Sequence, residues 1–276
     1  MRALAALLLA LHLPAVGSAQ AGSPDPDSPR PIDIHDTVWL EDLTWMEVRD
    51  LMREGWRTVL IPTGGVEQNG PYLALGKHNI ILRATMDAVA RRLGEALVAP
   101  VVPFVPEGEH SPATGHMRYP GTVSVTEETF RALLTDIAES MRTHGFEHVI
   151  LLGDSGGNRE GMAAVASELS TRWRGSGTRI HYVPEYYEFD YRGWLAERGI
   201  TEVDEGLHDD VRHSALMMLV DPTTVRMEER ERAGLFTING VELAPVERTL
   251  ELARRLTAAQ ADVTVDAIRR RMRGGE

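Results

Sequence analysis

The sequence predicts an α/β fold built on a mostly parallel β-sheet with helices packed on both faces. Short apolar runs at 58–62, 97–105, 148–152 and 179–183 have the length and composition of buried strands. Stretches with helical periodicity fill the gaps between them. Apolar strands alternating with helices need cover on both faces, and a parallel sheet between two helical layers provides it.

In chain order, Leu43, Met46, Val48, Leu51 and Met52 fall near helical spacing, and Gly55 stops that helix. Further helices are expected at 79–93 and 126–143. The second of these is preceded by Ser124 with Glu127 three residues on, a capping-box pattern, and followed by Gly145. The second half reads as more helical, with segments at 194–200 and 213–220 and a long final helix from Ala244, where Pro245 suits the first turn.

The chain has 276 residues, 43% of them hydrophobic and none of them cysteine. It is long enough for one core without disulfide staples, and thiolate metal ligands are excluded. Arg2, the apolar run 3–16 and the small-x-small pattern of Ala19 and Ala21 have the layout of a secretory leader, so residues 1–21 are expected to be removed on export. Residues 22–36, rich in Pro, Ser and Asp, read as a flexible tether, leaving one domain at 37–276. With 29 basic against 41 acidic residues the net charge is −12, which argues against a nucleic-acid partner and fits a solvated surface. No segment of the mature chain reads as a membrane span.

Ligands of open α/β sheets bind outside the carboxyl ends of the strands, so the loops after each strand carry the candidates. The loop 153–158 (Gly-Asp-Ser-Gly-Gly-Asn) lacks the spacing and the Lys of a phosphate-binding loop. It also meets a nucleophilic-serine elbow only loosely, and Asn158 alone could cap a helix running to Trp173. A metal reading accounts for more, because Glu67, His78, Glu109, His110, His116, Asp154, His208, Asp209, Asp210 and His213 are oxygen and nitrogen donors suited to zinc, manganese or another divalent ion. Tyr186, Tyr187, Phe189 and Trp194 are aromatic candidates either for a pocket wall or for the core.

Residues 62–76 (Pro-Thr-Gly-Gly-Val-Glu-Gln-Asn-Gly-Pro-Tyr-Leu-Ala-Leu-Gly) resemble the Pro-x-Gly-Ser-x-Glu-Gln-His-Gly-Pro-His-Leu-Pro-Leu segment of the creatininase family. Residues 116–124 are similar to its segment ending Phe-Pro-Gly-Thr-Ile-Ser, 153–158 to its Asn-Gly-His-Gly-Gly-Asn loop, and 207–219 stand in place of its His-Ala-Gly-Glu-x-Glu-Thr-Ser segment. The resemblance implies a three-layer α/β/α creatininase-type fold, a homo-oligomer, often a hexamer, and metal-dependent hydrolysis of amide or other C–N bonds. Glu67 matches a family metal ligand and His208 the family histidine that assists catalysis. Asn69 stands where a His ligand is expected, His78 replaces the bridging Asp, Ser155 replaces a His, Gly157 stands where creatininase itself has a Glu but many relatives a Gly, and His213 replaces a family Glu.

The resemblance and its departures together imply a single divalent ion, zinc or manganese, on Glu67, His78 and Asp154, with His213 as a further ligand. His208 and Glu67 are the catalytic candidates, and Asn69, His116, Tyr119 and Ser155 are the substrate-binding ones. The substrate expected is a small amide or short peptide outside the cytoplasm. The rival reading is a family member without the chemistry that serves as a periplasmic small-molecule-binding protein. Intact mass or N-terminal sequencing of protein exported by a diderm bacterium is expected to place the mature start near Gly22, and a retained Met1 would count against the leader.

Overall fold

The computed structural model describes residues 24–274, so the expected leader at 1–21 lies outside the described residues. A compact unit begins at Ile34, and residues 24–33 contain a turn but no helix or strand.

The unit starts with α1 (Trp45–Arg53), followed by β1 (Thr58–Thr63), α2 (Lys77–Leu93), β2 (Ala96–Val98), α3 (Glu127–Thr143), β3 (His148–Gly153), α4 (Arg159–Arg172) and β4 (Arg179–Tyr182). The second half holds α5 (Tyr191–Ala196), α6 (Val211–Val220), α7 (Met227–Ala233), β5 (Thr237–Ile238), β6 (Val241–Glu242) and α8 (Val246–Met272). β1 to β4 form one sheet in the order β2-β1-β3-β4, and every pairing in it is parallel. No helix among the described residues is long and apolar enough to cross a membrane.

The period-2 alternation of strand side chains divides the core into two layers. Val59, Ile61, Val149 and Leu151 meet Phe130 and Leu134 of α3 and Val165 and Leu169 of α4. Their neighbours Leu60, Ile150 and Leu152 point the other way, onto Leu82 and Met86 of α2 and Val265 and Ile268 of α8. Both faces are therefore dry, as the uninterrupted apolar strands require. A third cluster, centred on Leu216 and Met217 of α6 and Leu256 of α8, attaches the helical second half.

Three expectations are corrected locally. The run 97–105 is a strand only to Val98. Pro100 and Pro103 cannot donate to a ladder, and beyond them the chain keeps only isolated bridges such as Thr63 to Val102. The cap of α3 is Thr126, whose side chain accepts from the Thr129 amide, whereas Ser124 Oγ accepts from the Glu107 amide at 2.9 Å and donates to the Gly108 carbonyl at 2.8 Å. The capping box in this chain belongs to α1, between Thr44 and Glu47. Asn158 caps nothing, because its Nδ2 donates to Thr63 Oγ1 and to the Gly64 carbonyl, tying the β3 loop to the β1 loop. The β5–β6 hairpin, unanticipated from the sequence, turns at Asn239-Gly240, where both residues have positive φ.

Across β3 and β4 the His148 Nδ1 and His181 Nε2 atoms lie 3.2 Å apart, so one ring must accept from the other. Burial pushes both imidazoles below their ordinary range, and the neighbouring His148 helps bring His181 down to about 4. The folded chain thus takes up these protons less readily than the unfolded chain. Their stabilising share is present above the unfolded value near 6.5 and is lost as pH falls toward about 4. Urea unfolding at pH 7 and pH 5 is expected to show a larger loss for the parent protein than for His181→Gln, and equal losses would remove the pair from the account.

Candidate active site

Loops at the carboxyl ends of β1 and β3 supply Glu67, Asp154 and Ser155, and the first turn of α2 adds Lys77 and His78. The segment after β2 contributes Glu107 and His116, the loop before α6 contributes His208, and the first turn of α6 contributes Arg212 and His213. These side chains line a cavity of about 1320 Å³ with Tyr187, Phe189 and Tyr191 on its wall. Two glycines let the loops close in. A Cβ at Gly65 would lie 2.3 Å from Glu107 Oε1, and one at Gly157 would lie 2.5 Å from the Pro106 carbonyl. Position 157 therefore has no space for any side chain, let alone a carboxylate ligand.

His78 is the hub. Its Nε2 donates to Glu67 Oε1 at 2.7 Å and its Nδ1 to Asp154 Oδ2 at 2.8 Å. Ionised carboxylates only accept, so both ring nitrogens must carry protons and the ring is an imidazolium. Burial opposes that charge, but the hydrogen bonds to Asp154 and Glu67 outweigh it and raise the His78 pKa. Two more cations join the cluster. Lys77 Nζ sits 3.2 Å from Glu67 Oε1, and Arg212 Nη2 donates to Asp154 Oδ1 at 2.8 Å.

Burial works to raise both carboxylates as well. For Asp154 the Arg212 charge and the His78 contact prevail, and for Glu67 the His78 bond and the Lys77 charge do, so both stay well below the usual carboxylate range. Glu107 behaves oppositely. Burial and the Glu67 charge push its carboxyl up, so it keeps its proton beside Glu67 at neutral pH.

The other side of Glu67 faces two imidazoles. His116 Nε2 is 3.4 Å from Glu67 Oε2, His208 Nε2 is 3.7 Å from Oε1, and the two rings lie 4.5 Å apart. Gln68 fixes both. Its backbone carbonyl accepts from His208 Nδ1 at 2.9 Å, and its side-chain Oε1 lies 3.4 Å from His116 Nδ1. With Nδ1 of each ring turned to Gln68, the two Nε2 atoms converge on Glu67. A carboxylate with two imidazoles oriented by outer acceptors is a donor set that suits a catalytic divalent ion. His208 is held there in the left-handed backbone region, at φ +51°.

A second trio, His78, Asp154 and His213, also brings its donor atoms within 4.8 Å of one another, but these do not fit an ion. Both His78 nitrogens are engaged, Arg212 and His78 take the Asp154 oxygens, and Arg212 Nη1 lies 3.0 Å from His213 Nε2. Burial lowers the His213 pKa to about 4, so this ring is the neutral acceptor of that contact. Three of the four ligands expected from the sequence, His78, Asp154 and His213, thus fall together, with Glu67 bonded to His78 and facing a second pair of imidazoles. Glu67 joins His116 and His208, whereas His78, Asp154 and His213 are bound up in a charge network with Arg212.

Among the expected substrate contacts, His116 and Ser155 line the cavity. Asn69 and Tyr119 do not. Asn69 is buried, and its Nδ2 donates to the Glu67 and Ala74 carbonyls at 3.1 Å, holding the loop that presents Glu67. Tyr119 is 46% exposed, away from the wall. Lys77, Gln68, Glu107 and Arg212 were not singled out from the sequence. Lys77 and Gln68 adjoin His78 and Glu67, which was a usable signal, but nothing local marks Arg212.

A cavity of carboxylates and imidazoles at the carboxyl edge of a parallel sheet is an arrangement suited to hydrolysis assisted by a divalent ion. The family profile described as creatininase, creatinine amidohydrolase, matches residues 41–262, and the chain belongs to that family. It is 28% identical over 223 residues to the mycofactocin precursor peptide peptidase of Mycolicibacterium smegmatis, covering 77% of this chain and 84% of that protein. It is 27% identical over 116 residues to the creatinine amidohydrolase of Pseudomonas putida, covering 42% and 44%. Among solved structures, one described as creatininase with Mn aligns with a TM-score of 0.61 at 18% identity, over 86% of this chain and 98% of that one, which shows the shared fold.

Asp154→Ala leaves Arg212 and the His78 imidazolium buried without their carboxylate. The variant is expected to lose about 3–5 kcal/mol of stability in urea unfolding, and a loss below about 1 kcal/mol would show that the network is not the internal brace described.

Proposed function

We propose that this chain is an exported metal-dependent amidohydrolase that cleaves a C–N bond of a short peptide or small amide. The observation that carries the reading is the convergence of Glu67, His116 and His208 on one point of a large cavity. The size of that cavity and the extended similarity to a peptide peptidase favour a short peptide over a compact ring such as creatinine. We extend the reading to a homo-oligomer, as the family resemblance implies.

Glu67, His116 and His208 would hold the ion. Bound there, a zinc or manganese ion supplies Lewis acidity toward a carbonyl and makes water more acidic. The chain's own groups do the remaining work. Lys77 and His78 keep Glu67 ionised and fixed in orientation, and Gln68 holds the two imidazoles in the tautomer with Nε2 inward. Glu107 keeps a carboxyl proton at the cavity wall beside Glu67, available to a departing nitrogen. His208, the catalytic candidate of the family resemblance, serves here as a ligand through Nε2.

The binding-protein reading draws on one observation of its own: Lys77 already neutralises Glu67 without an ion. Metal content separates the two. Protein purified without chelator is expected to carry close to one divalent ion per chain by elemental analysis, and Glu67→Gln to carry none. Unchanged metal in that variant would defeat the site assignment, and an ion-free parent that still binds a small molecule would favour the binding protein. Gln68→Ala removes the support of His116, together with a bond to the Asn69 carbonyl, and is expected to weaken metal affinity about 10-fold or more, as read by competition with a chromogenic chelator.

A further inference from the structure

The His78, Asp154 and His213 trio has the composition and spacing of a metal site, yet its lone pairs are all engaged. His78 is held by Glu67 and Asp154, and the remaining donors, Asp154 Oδ1 and His213 Nε2, are taken by Arg212, whose side chain is 6% exposed, with the Tyr186 hydroxyl also 3.3 Å from Asp154 Oδ1. One of the terminal nitrogens of Arg212, Nη2, donates to Asp154 Oδ1 at 2.8 Å and to Gln260 Oε1 at 3.2 Å, and Nη1 lies 3.0 Å from His213 Nε2. Gln260 comes from α8, and its own Nε2 donates to the Tyr186 carbonyl at 2.9 Å, which fixes which end of the amide faces Arg212. The guanidinium is therefore clamped on two sides, with the Tyr191 ring 5.5 Å from its carbon.

We infer that Arg212 is a built-in cation occupying a second metal position formed by His78, Asp154 and His213, so that the chain takes one divalent ion where its donor atoms would suffice for two. The physical reason is that a guanidinium never loses its proton in a protein and presents several donors in one plane. It can satisfy a carboxylate and an imidazole lone pair together, as a divalent ion would. An ion entering this position would have to displace a buried permanent charge from all three partners. Because the guanidinium is part of the chain, this half of the cluster assembles in the absence of any metal.

The inference rests on the proposed function only for the first ion; the second position stands on the Arg212 contacts. Arg212→Met removes the charge, frees His213 Nε2 and leaves Asp154 Oδ1 with the Tyr186 hydroxyl alone, while keeping a long side chain. Titration of the chelator-treated protein with Co²⁺ alone, followed by visible absorption and elemental analysis, is expected to saturate at one equivalent in the parent and two in Arg212→Met. Arg212→Lys, which keeps the charge, is expected to stay at one. In thermal melts, Arg212→Met should gain more from added Mn²⁺ than the parent does. A folded Arg212→Met with the parent's stoichiometry overturns the inference, as do two tight equivalents in the parent, a result that needs no variant to fold. A parent that binds no ion defeats the proposed function instead, and a gain of one ion in Arg212→Met would still uphold the inference.

Discussion

Two carboxylates, Glu67 and Asp154, are buried at the ends of adjacent parallel strands, and the geometry of the site follows from the need to compensate them. Moving an ionised carboxylate out of water costs several kcal/mol even after relaxation, so each must find cationic donors within the protein. His78 answers both at once because an imidazolium has a donor on each side of its ring. That bridge forces the first turn of α2 to sit between the β1 and β3 loops. Arg212 and Gln260 then extend the network to α6 and α8, so the helical second half is attached to the sheet by charge as well as by its apolar cluster.

The same constraint divides the cavity into two chemistries. On the side of Asp154 the protein supplies the positive charge itself, and the donor atoms are closed to other partners. On the side of His116 and His208 the imidazoles have their outer nitrogens on Gln68 and their inner nitrogens turned to Glu67. A site with one closed and one open face can keep its shape through cycles of ligand loading, because the closed face does not wait for a ligand to assemble. Glu107 sits at the boundary, where the charge of Glu67 makes a second ionised carboxyl unfavourable and leaves a proton in place.

Membership of the family accounts for the scaffold. Where the family resemblance leads one to expect imidazole or carboxylate ligands, Asn69 holds a loop, Gly157 makes room for a backbone carbonyl, and His78 has become a fixed cation. These changes are mutually consistent. Each removes a ligand or supplies a charge on the Asp154 side, while the trio around Glu67 is left with its donors oriented.

The α/β class, the parallel sheet and the loops that carry the site were legible in the sequence, because apolar runs, helical periodicity and Gly-rich strand ends are local patterns set by burial and backbone geometry. Glu67 and His208 could be picked out by their motifs for the same reason. The grouping of Glu67 with His78 and Asp154 was legible too, but the Arg212 that closes that group and the pairing of His116 and His208 on Glu67 were not. His78 and Asp154 are 76 positions apart, and Arg212 is a further 58 beyond Asp154. Whether an imidazole in such a set is a ligand or a counter-ion depends on which charges the fold brings within 3 Å of it. The sequence by itself determined where the donors lie along the chain and that the strands are covered on both faces. Only the tertiary structure decided which lone pairs remain free, because that is settled by the hydrogen-bond partner on the far side of each ring and carboxylate.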